Sequence, residues 1–429
     1  MARQFLMVLA GVIALASCVD DIRLAPAPNL YVQGRQYPVD GIALAQRTAA
    51  PDIFFVTNRI ADKKAYGPDR SHSMAFGAAK VRFGEDLTWD EVVRRTHVDT
   101  GEQVPRLSVA GVTEVVRFPQ TPLPQKRVNG RLTFVGPEVS AYDGQSRAFQ
   151  DNLRKRIAQT GKGKVLIYVH GFNSEFESSV TTLANIWHFS GRDSIPIAFS
   201  WPAEAGFGIL GYFRDRDAAT FSVFHFKELM RLLAAMPEVD QIDIIAHSRG
   251  ADLAVVALRE LSIFARGQGK HPHDALKTNV LILAAPDLSF DIVRQRLQSE
   301  RFSDAFSQIT LYTNPNDVAL QFSELLTNAP RLGSLTDEDF APGEAERLRN
   351  AAFVHFINVE GARSAGAHAY FRDNPAVLSD VVLALQTGAA PGTDTRPLEP
   401  TDSGVWLLHS NYPFQRQHVV PQELTADTR

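Results

Sequence analysis

From residue 165 onward, continuous apolar runs alternate with segments of helical spacing. The runs lie at 165–169, 195–199, 242–246, 280–285, 309–312 and 354–359, and helical patterns lie at 178–189, 218–236, 251–265 and 290–298. Continuous apolar strands are typical of a parallel sheet that is covered on both faces. Strands that alternate with helices predict right-handed βαβ units. We therefore predict an α/β fold, with a mostly parallel, doubly wound sheet and flanking helices, for a domain over 51–386.

The segments before and after this series are less regular. Two β-like runs at 53–57 and 74–83 precede it, followed by a helical pattern at 140–161. No element is predicted with certainty within 84–125, where prolines interrupt a mixed pattern. Residues 391–400 are rich in Pro and Thr, which indicates an extended C-terminal tail over 387–429.

The N-terminus has the pattern of an export signal. Arg3 precedes the apolar run 5–16 and the small residues that end at Cys18, which predicts a signal peptide over 1–17. The run is shorter than the roughly 20 residues of a membrane-spanning helix. Residues 15–18, LASC, resemble the bacterial lipobox, in which the cysteine is acylated and becomes the mature N-terminus. The expectation is an exported protein, lipid-anchored at Cys18 to the periplasm-facing membrane of a bacterial envelope, with an anchor and tether over 18–50. Ordinary cleavage after Ala16 is the alternative, and it would give a secreted or periplasmic soluble protein.

Composition excludes several classes of function. Cys18 is the single cysteine, so the chain cannot form an internal disulfide or a zinc site that needs two cysteines. The formal net charge of -4 gives no electrostatic reason to expect a nucleic-acid partner. No metal or organic cofactor is predicted.

Ser248 has the strongest signal for chemistry. The apolar run 242–246 continues into His247, Ser248, Arg249 and Gly250, and a helical pattern follows. A serine between a buried strand and a helix is the context of a nucleophile elbow, whose tight turn demands small residues two before and two after the serine. Ala246 and Gly250 meet that demand, although Gly at both positions is more common. We predict that Ser248 is a nucleophile.

Six stretches carry a resemblance to a known family: FVTNR (55–59), YVHGFN (168–173), FSWP (199–202), AHSRG (246–250), AAPD (284–287) and HAYF (368–371). Over about residues 53–385 the chain resembles a bacterial α/β-hydrolase family that is catalogued mainly as a domain of unknown function. The resemblance implies an α/β-hydrolase fold and an esterase-like triad, and it supplies no natural substrate. One departure is Arg249, where relatives often carry Met; its side chain would narrow or charge the mouth of the site.

A serine nucleophile needs a base, and the base needs an acid that orients it. In this fold the chain order is Ser, acid, His. Asp317 follows the run 309–312 and the turn-forming residues 314–316, so it is the first candidate for the acid. Asp287 ends the preceding run and is the alternative acid, or else a cap of the next helix. His368 follows the last run and the small-residue stretch 361–367, and is the predicted base.

An oxyanion hole needs two backbone N–H donors, one from the residue after the nucleophile and one from an earlier loop. Arg249 and Phe172 are the candidates. His170, two residues before Phe172, is interpreted as a brace for that loop. His355, within an apolar run, is interpreted as a core residue. Two roles are equally consistent with the aromatic residues Trp201, Phe207, Tyr212 and Phe213. They line an acyl pocket, or they form a small core beside the main one.

Together these residues predict hydrolysis of a small-molecule or lipid carboxylic ester through an acyl-serine intermediate. The alternative is a catalytically silent lipoprotein that uses the same scaffold to bind an envelope partner, because a fold alone does not determine function.

Overall fold

A computed structural model describes residues 23–63, 65–98, 104–203, 208–341, 343–360 and 368–414. Within them, eleven strands form one sheet in the order β12-β13-β11-β10-β9-β8-β6-β7-β1-β2-β3, and β4 and β5 form a separate hairpin. The strands are β1 Asp52–Asp62, β2 Ala65–Phe83, β3 Leu107–Arg117, β4 Gln125–Val128, β5 Arg131–Phe134, β6 Lys164–Val169, β7 Ile195–Ser200, β8 Gln241–His247, β9 Thr278–Ala284, β10 Gln308–Thr313, β11 Val354–Val359, β12 Glu399–Pro400 and β13 Trp406–Leu408.

Neighbouring strands from β1 to β13 across the middle of the sheet are parallel, and only the pairs that involve β2 or β12 are antiparallel. Helices cover the sheet. They are α1 Asn29–Val32, α2 Trp89–Arg95, α3 Pro137–Thr160, α4 Phe176–Phe189, α5 Gly208–Ala234, α6 Arg249–Gly267, α7 Pro272–Leu276, α8 Phe290–Ile292, α9 Val318–Thr327, α10 Glu344–Ala352, α11 Tyr370–Asp373 and α12 Pro375–Thr387. The predicted α/β class with a mostly parallel, doubly wound sheet is confirmed.

The two faces of the sheet have separate apolar cores. Side chains that alternate along one strand, such as Ile244 and Ile245 of β8, belong to different clusters. One cluster includes residues of α3, α5 and α6, and the other includes residues of α4 and α12. A strand covered on both faces must be apolar at every position, which explains the continuous runs in the sequence.

The predicted tether over 18–50 is wrong for residues 23–50, and residues 18–22 lie outside the described residues. From Leu24 the chain packs on the domain, where Leu24, Leu30, Tyr31 and Ile42 are buried in one of the two cores. The hydroxyl of Tyr31 donates to the carbonyl of Phe189 at 2.8 Å. The apolar residues that hold this segment against the domain are widely spaced and lack the period of a helix or strand. For that reason the sequence pattern did not predict that the segment packs.

The predicted extended tail over 387–429 is wrong for residues 388–414. Strand β13 pairs in parallel with β11, and Arg396 is fully buried against Asp380 of α12 at 2.7 Å. Because burial of a charged guanidinium is costly unless a carboxylate pairs with it, Arg396 fixes the segment to the domain. Residues 415–429 lie outside the described residues.

Other differences are local. Within 84–125, α2 begins with a capping box formed by Thr88 and Glu91, and β3 extends the sheet. The predicted helix 218–236 begins earlier, at Gly208, and the pattern at 290–298 is α-helical only to Ile292 and then π-helical. Among the described residues no helix is both long and apolar enough to cross a membrane.

Candidate active site

Ser248 lies between β8 and α6, at the carboxyl edge of the sheet. Its backbone has φ 51° and ψ -121°, and it is buried. A positive φ is strained for any residue with a side chain and persists only where the surroundings enforce it. Here the Ser248 N–H donates to the Ala284 carbonyl at 3.0 Å, and its carbonyl accepts from Asp287 at 3.2 Å. The geometry is that of the predicted elbow.

Two glycines allow the loop after β6 to lie against this elbow. A Cβ on Gly250 would meet the His170 carbonyl oxygen at 2.2 Å, and one on Gly171 would meet the Ser248 Cβ at 2.8 Å. Both positions therefore exclude any larger side chain. The small residue expected two positions after the nucleophile is required by backbone of the neighbouring loop.

The loop that carries Phe172 is held in place by two buried polar groups. The N–H of Asn173, a residue at φ 49°, donates to the Asp215 carboxylate at 2.8 Å. The guanidinium of Arg59 donates to the Ser174 carbonyl at 2.5 Å. The Phe172 N–H has no acceptor among the described residues. The first N–H groups of α6, which begins at Arg249, also lack partners within the helix, so both predicted oxyanion donors are available.

His170 is part of this support and cannot act as a base. Its ring stacks on Trp201, with centroids 5.0 Å apart and planes 6° apart, and the Trp201 indole donates to the His170 carbonyl at 2.8 Å. Burial, together with the nearby Arg59 charge, lowers the pKa of His170 to about 3. A neutral ring that stacks on an aromatic residue suits a brace, as its position before Gly171 indicated.

Asp317 uses its two carboxylate oxygens for different tasks. It caps α9, where Oδ1 accepts from the N–H groups of Ala319 and Leu320 at 3.0 and 3.2 Å. Oδ2 accepts from Nδ1 of His368 at 2.7 Å. The carboxylate is fully buried. Because the helix fixes one oxygen, the other holds the imidazole in a defined orientation.

The pKa of His368 reflects two opposing effects. Burial favours the neutral ring, but the charge and hydrogen bond of the Asp317 carboxylate, together with the charge of Asp287, raise the pKa of His368 above its usual value. With Nδ1 bound to Asp317, Nε2 is the nitrogen that remains for proton transfer. The structure thus brings the predicted acid and base together.

His247 links the base to the elbow, a role that the sequence did not indicate. Its Nε2 lies 3.0 Å from the His368 carbonyl oxygen, and the two rings are 4.7 Å apart. Burial, followed by the charge of His368, lowers the pKa of His247 well below its usual value. A neutral His247 with its proton on Nε2 donates to that carbonyl. Because His247 directly precedes Ser248, this bond ties the backbone of His368 to the turn that carries Ser248.

Asp287, the alternative acid, has other partners. Its Oδ2 accepts from Arg249 Nη2 at 2.5 Å and its Oδ1 accepts from the Ser323 hydroxyl at 2.6 Å. Arg331 Nε lies 3.4 Å from Oδ1. Arg249 is itself buried and also donates to the hydroxyl of Tyr212. The Arg249 side chain therefore points into an ion-pair cluster, and the expectation that it charges the mouth of the site does not hold.

A small apolar cluster adjoins the site. Phe172, Tyr212, Ala319 and Phe322 pack together, which joins the loop after β6 to α5 and α9. Trp201 belongs to the main core, and Phe213 is partly exposed. Of the aromatic residues considered for an acyl pocket, only Tyr212 is thus placed beside Phe172; Phe207 lies outside the described residues.

Other sequence candidates lie elsewhere. His355 of β11 is buried, and burial lowers its pKa to about 4. His409, for which no role was predicted, pairs with Glu360 at 2.7 Å. Cys18 lies outside the described residues. Arg59 and Asp215 support the loop after β6, and neither was predicted as a site residue. Arg59 lies in the FVTNR stretch, whereas Asp215 lies outside all six stretches.

The match to a protein-family model agrees with this architecture. Residues 145–385, more than half of the chain, match the model of a family described as an α/β-hydrolase of unknown function (DUF900). Among solved structures, the chain is similar to an esterase from Pyrobaculum calidifontis, with 14% identity and a TM-score of 0.26 over 53% of this chain and 76% of that one. No curated protein matches the chain.

Proposed function

Because this chain belongs to the α/β-hydrolase family of unknown function DUF900, we propose that it is a serine hydrolase that cleaves carboxylic esters through an acyl-serine intermediate. Ser248 is the nucleophile, His368 the general base and Asp317 the orienting acid. The observation that carries the proposal is the 2.7 Å hydrogen bond from His368 to Asp317, at the same sheet edge as the strained Ser248.

In the acylation step, Nε2 of His368 removes the Ser248 proton as Oγ attacks the ester carbonyl. The carbonyl oxygen becomes negative, and the N–H groups of Phe172 and Arg249 stabilise it, aided by the N-terminus of α6. Collapse of this intermediate breaks the ester bond, and His368 returns the proton to the leaving alkoxide. In deacylation, His368 activates a water molecule that releases the acid and restores Ser248.

An ester is the default substrate class. A thioester or amide would use the same groups, and an ester carbonyl is more reactive toward a nucleophile than an amide carbonyl. A protein that only binds a partner would have no need for a carboxylate that is fully buried and hydrogen-bonded to an imidazole, which supports the enzyme over the silent alternative.

Variants of the two reacting groups test the proposal. Ser248→Ala and His368→Ala should each lower kcat on a short-chain aryl ester by at least about 10⁴-fold, and the double variant should be little worse, because the two groups act as one unit. His409→Ala, a histidine after β11 that pairs with Glu360, is the matched control and should retain the wild-type rate. A fluorophosphonate should label the wild type and not Ser248→Ala. A folded Ser248→Ala variant that keeps its activity would refute the assignment.

We also propose that the protein is exported and lipid-anchored through Cys18. The support is the lipobox-like LASC sequence after a short apolar run, in a chain with one cysteine. Two or three acyl chains on that cysteine would give stable membrane attachment. Mass spectrometry of the mature N-terminus should find an acylated Cys18, and Cys18→Ala should release the protein from the membrane fraction. An unmodified N-terminus at Ser17 would instead establish ordinary secretion.

A further inference from the structure

The described chain begins at the amino edge of the sheet. The backbone of Arg23 forms an antiparallel β-bridge with Arg106, and the Leu24 N–H donates to the Pro105 carbonyl at 2.8 Å. Both contacts lie immediately before β3. The first residue of β3 lies opposite Phe83, the last residue of β2. Strand β2 runs antiparallel to β1, which is parallel to the central strands. The start of β3 is therefore at the edge where the central strands begin.

Ser248 lies at the opposite edge, after the last residue of β8. Strand β8 has 7 residues, which corresponds to about 23 Å along the strand. Five strand spacings also separate β3 from β8 in the sheet order, or about 24 Å across the sheet. The point where the N-terminal chain leaves the domain is thus distant from the nucleophile in both directions.

The linker from Cys18 to this point is short. Five residue steps join Cys18 to Arg23, and even fully extended they span at most about 18 Å. A domain of this size is about 50 Å across. A linker of that length cannot pass around the domain, so an anchor at Cys18 holds the amino edge or the β3 side next to the bilayer.

We infer that the anchor holds the catalytic edge at a distance from the membrane to which it is attached, and that the enzyme acts on esters presented from the aqueous side and not on lipids of its own bilayer. This inference rests on the proposed function and deepens it, since it narrows the substrate class. It follows from topology and chain length, and it applies wherever the chain is attached through Cys18.

The single cysteine allows a direct test. The processed chain that begins at Cys18 is coupled through its thiol to dilute phosphatidylcholine vesicles that contain a maleimide-headgroup lipid. Two substrates carry the same aryl butyrate, one free in solution and one attached to a lipid headgroup in the same vesicles. The comparison is a variant with about 40 Gly/Ser residues inserted between Ile22 and Arg23, which adds a root-mean-square span of about 35 Å. The same insertion in the exposed 129–130 turn of the β4–β5 hairpin controls for the added residues.

The native linker and both insertions should hydrolyse the soluble ester at the same rate. The long N-terminal linker should raise the rate on the lipid-attached ester about tenfold or more, because a linker that cannot span two sites gives almost no effective concentration. The turn insertion should leave that rate at the native level. Equal rates on the lipid-attached ester for the native and long linkers would overturn the orientation. Failure of all three proteins on the soluble ester would instead refute the proposed function.

Discussion

Two buried aspartates follow adjacent parallel strands at the same edge of the sheet, and their partners differ. Asp317 follows β10 and binds a histidine, whereas Asp287 follows β9 and binds an arginine. As whole residues, Asp317 is fully buried and Asp287 is 5% exposed. Position and burial alone do not distinguish a catalytic acid from a structural one.

The partner decides the chemistry. His368 can gain and lose a proton near neutral pH, so a carboxylate that orients it serves proton transfer. Arg249 is permanently charged, and Asp287 raises its pKa further against the opposing effect of burial. The carboxylate of Asp287 therefore neutralises and positions the Arg249 side chain. This positioning matters because Arg249 directly follows Ser248, the proposed nucleophile.

The largest expected difference between the two sites is in rate. Asp317→Asn should lower kcat by about 10⁴-fold, because the amide no longer fixes the productive tautomer of His368. Asp287→Asn should lower it by about tenfold or less, since it leaves the histidine and its acid intact. The measurement is kcat on the short-chain aryl ester at one pH. The reverse ranking would transfer the role of the acid to Asp287.

Stability provides the control, and its ranking should be opposite. Asp287→Asn leaves the buried Arg249 with only the longer, 3.5 Å carboxylate contact to Asp252 and should cost about 3 kcal/mol in the free energy of unfolding. Asp317→Asn should cost only about 1 kcal/mol, because Asn also caps helices well. Urea unfolding of both variants measures this difference. If Asp317→Asn were the less stable variant, its loss of activity would reflect folding.

The comparison also shows how far the sequence could lead. The continuous apolar runs predicted the parallel sheet, because burial on both faces leaves a direct trace in composition. Ser248, Asp317 and His368 could be predicted as site residues because each follows one of those runs, and the carboxyl ends of parallel strands meet at one edge of the sheet. Asp287 stayed an alternative because the partner of a side chain is a three-dimensional fact.

Other features could not be predicted for the same reason. Arg59 and Asp215 bind the backbone of the loop after β6. Both are distant from that loop in the sequence, and no local spacing of residues shows such a contact. Arg396 turned a Pro- and Thr-rich stretch into an ordered segment by pairing with Asp380. Single long-range polar contacts of this kind have no period, so hydrophobic periodicity does not reveal them. A segment that they hold in place therefore resembles a tether or a tail in the sequence.

The smallest expected effect is a shift of the pH profile, and it separates the two aspartates most finely. His368 must be neutral to accept the Ser248 proton, so kcat/KM should rise with pH through the pKa of that histidine. Because the pKa of His368 is raised, the midpoint in the wild type should lie above the ordinary value of about 6.5. Both Asp317 and Asp287 raise it, Asp317 more strongly, while burial lowers it. Replacement of either by Asn should therefore move the midpoint to lower pH, and Asp317→Asn should move it further. The measurement is kcat/KM between about pH 5 and 9 for the wild type, Asp317→Asn and Asp287→Asn. A larger shift in Asp287→Asn, or a shift to higher pH in either variant, would contradict the electrostatic assignment of His368.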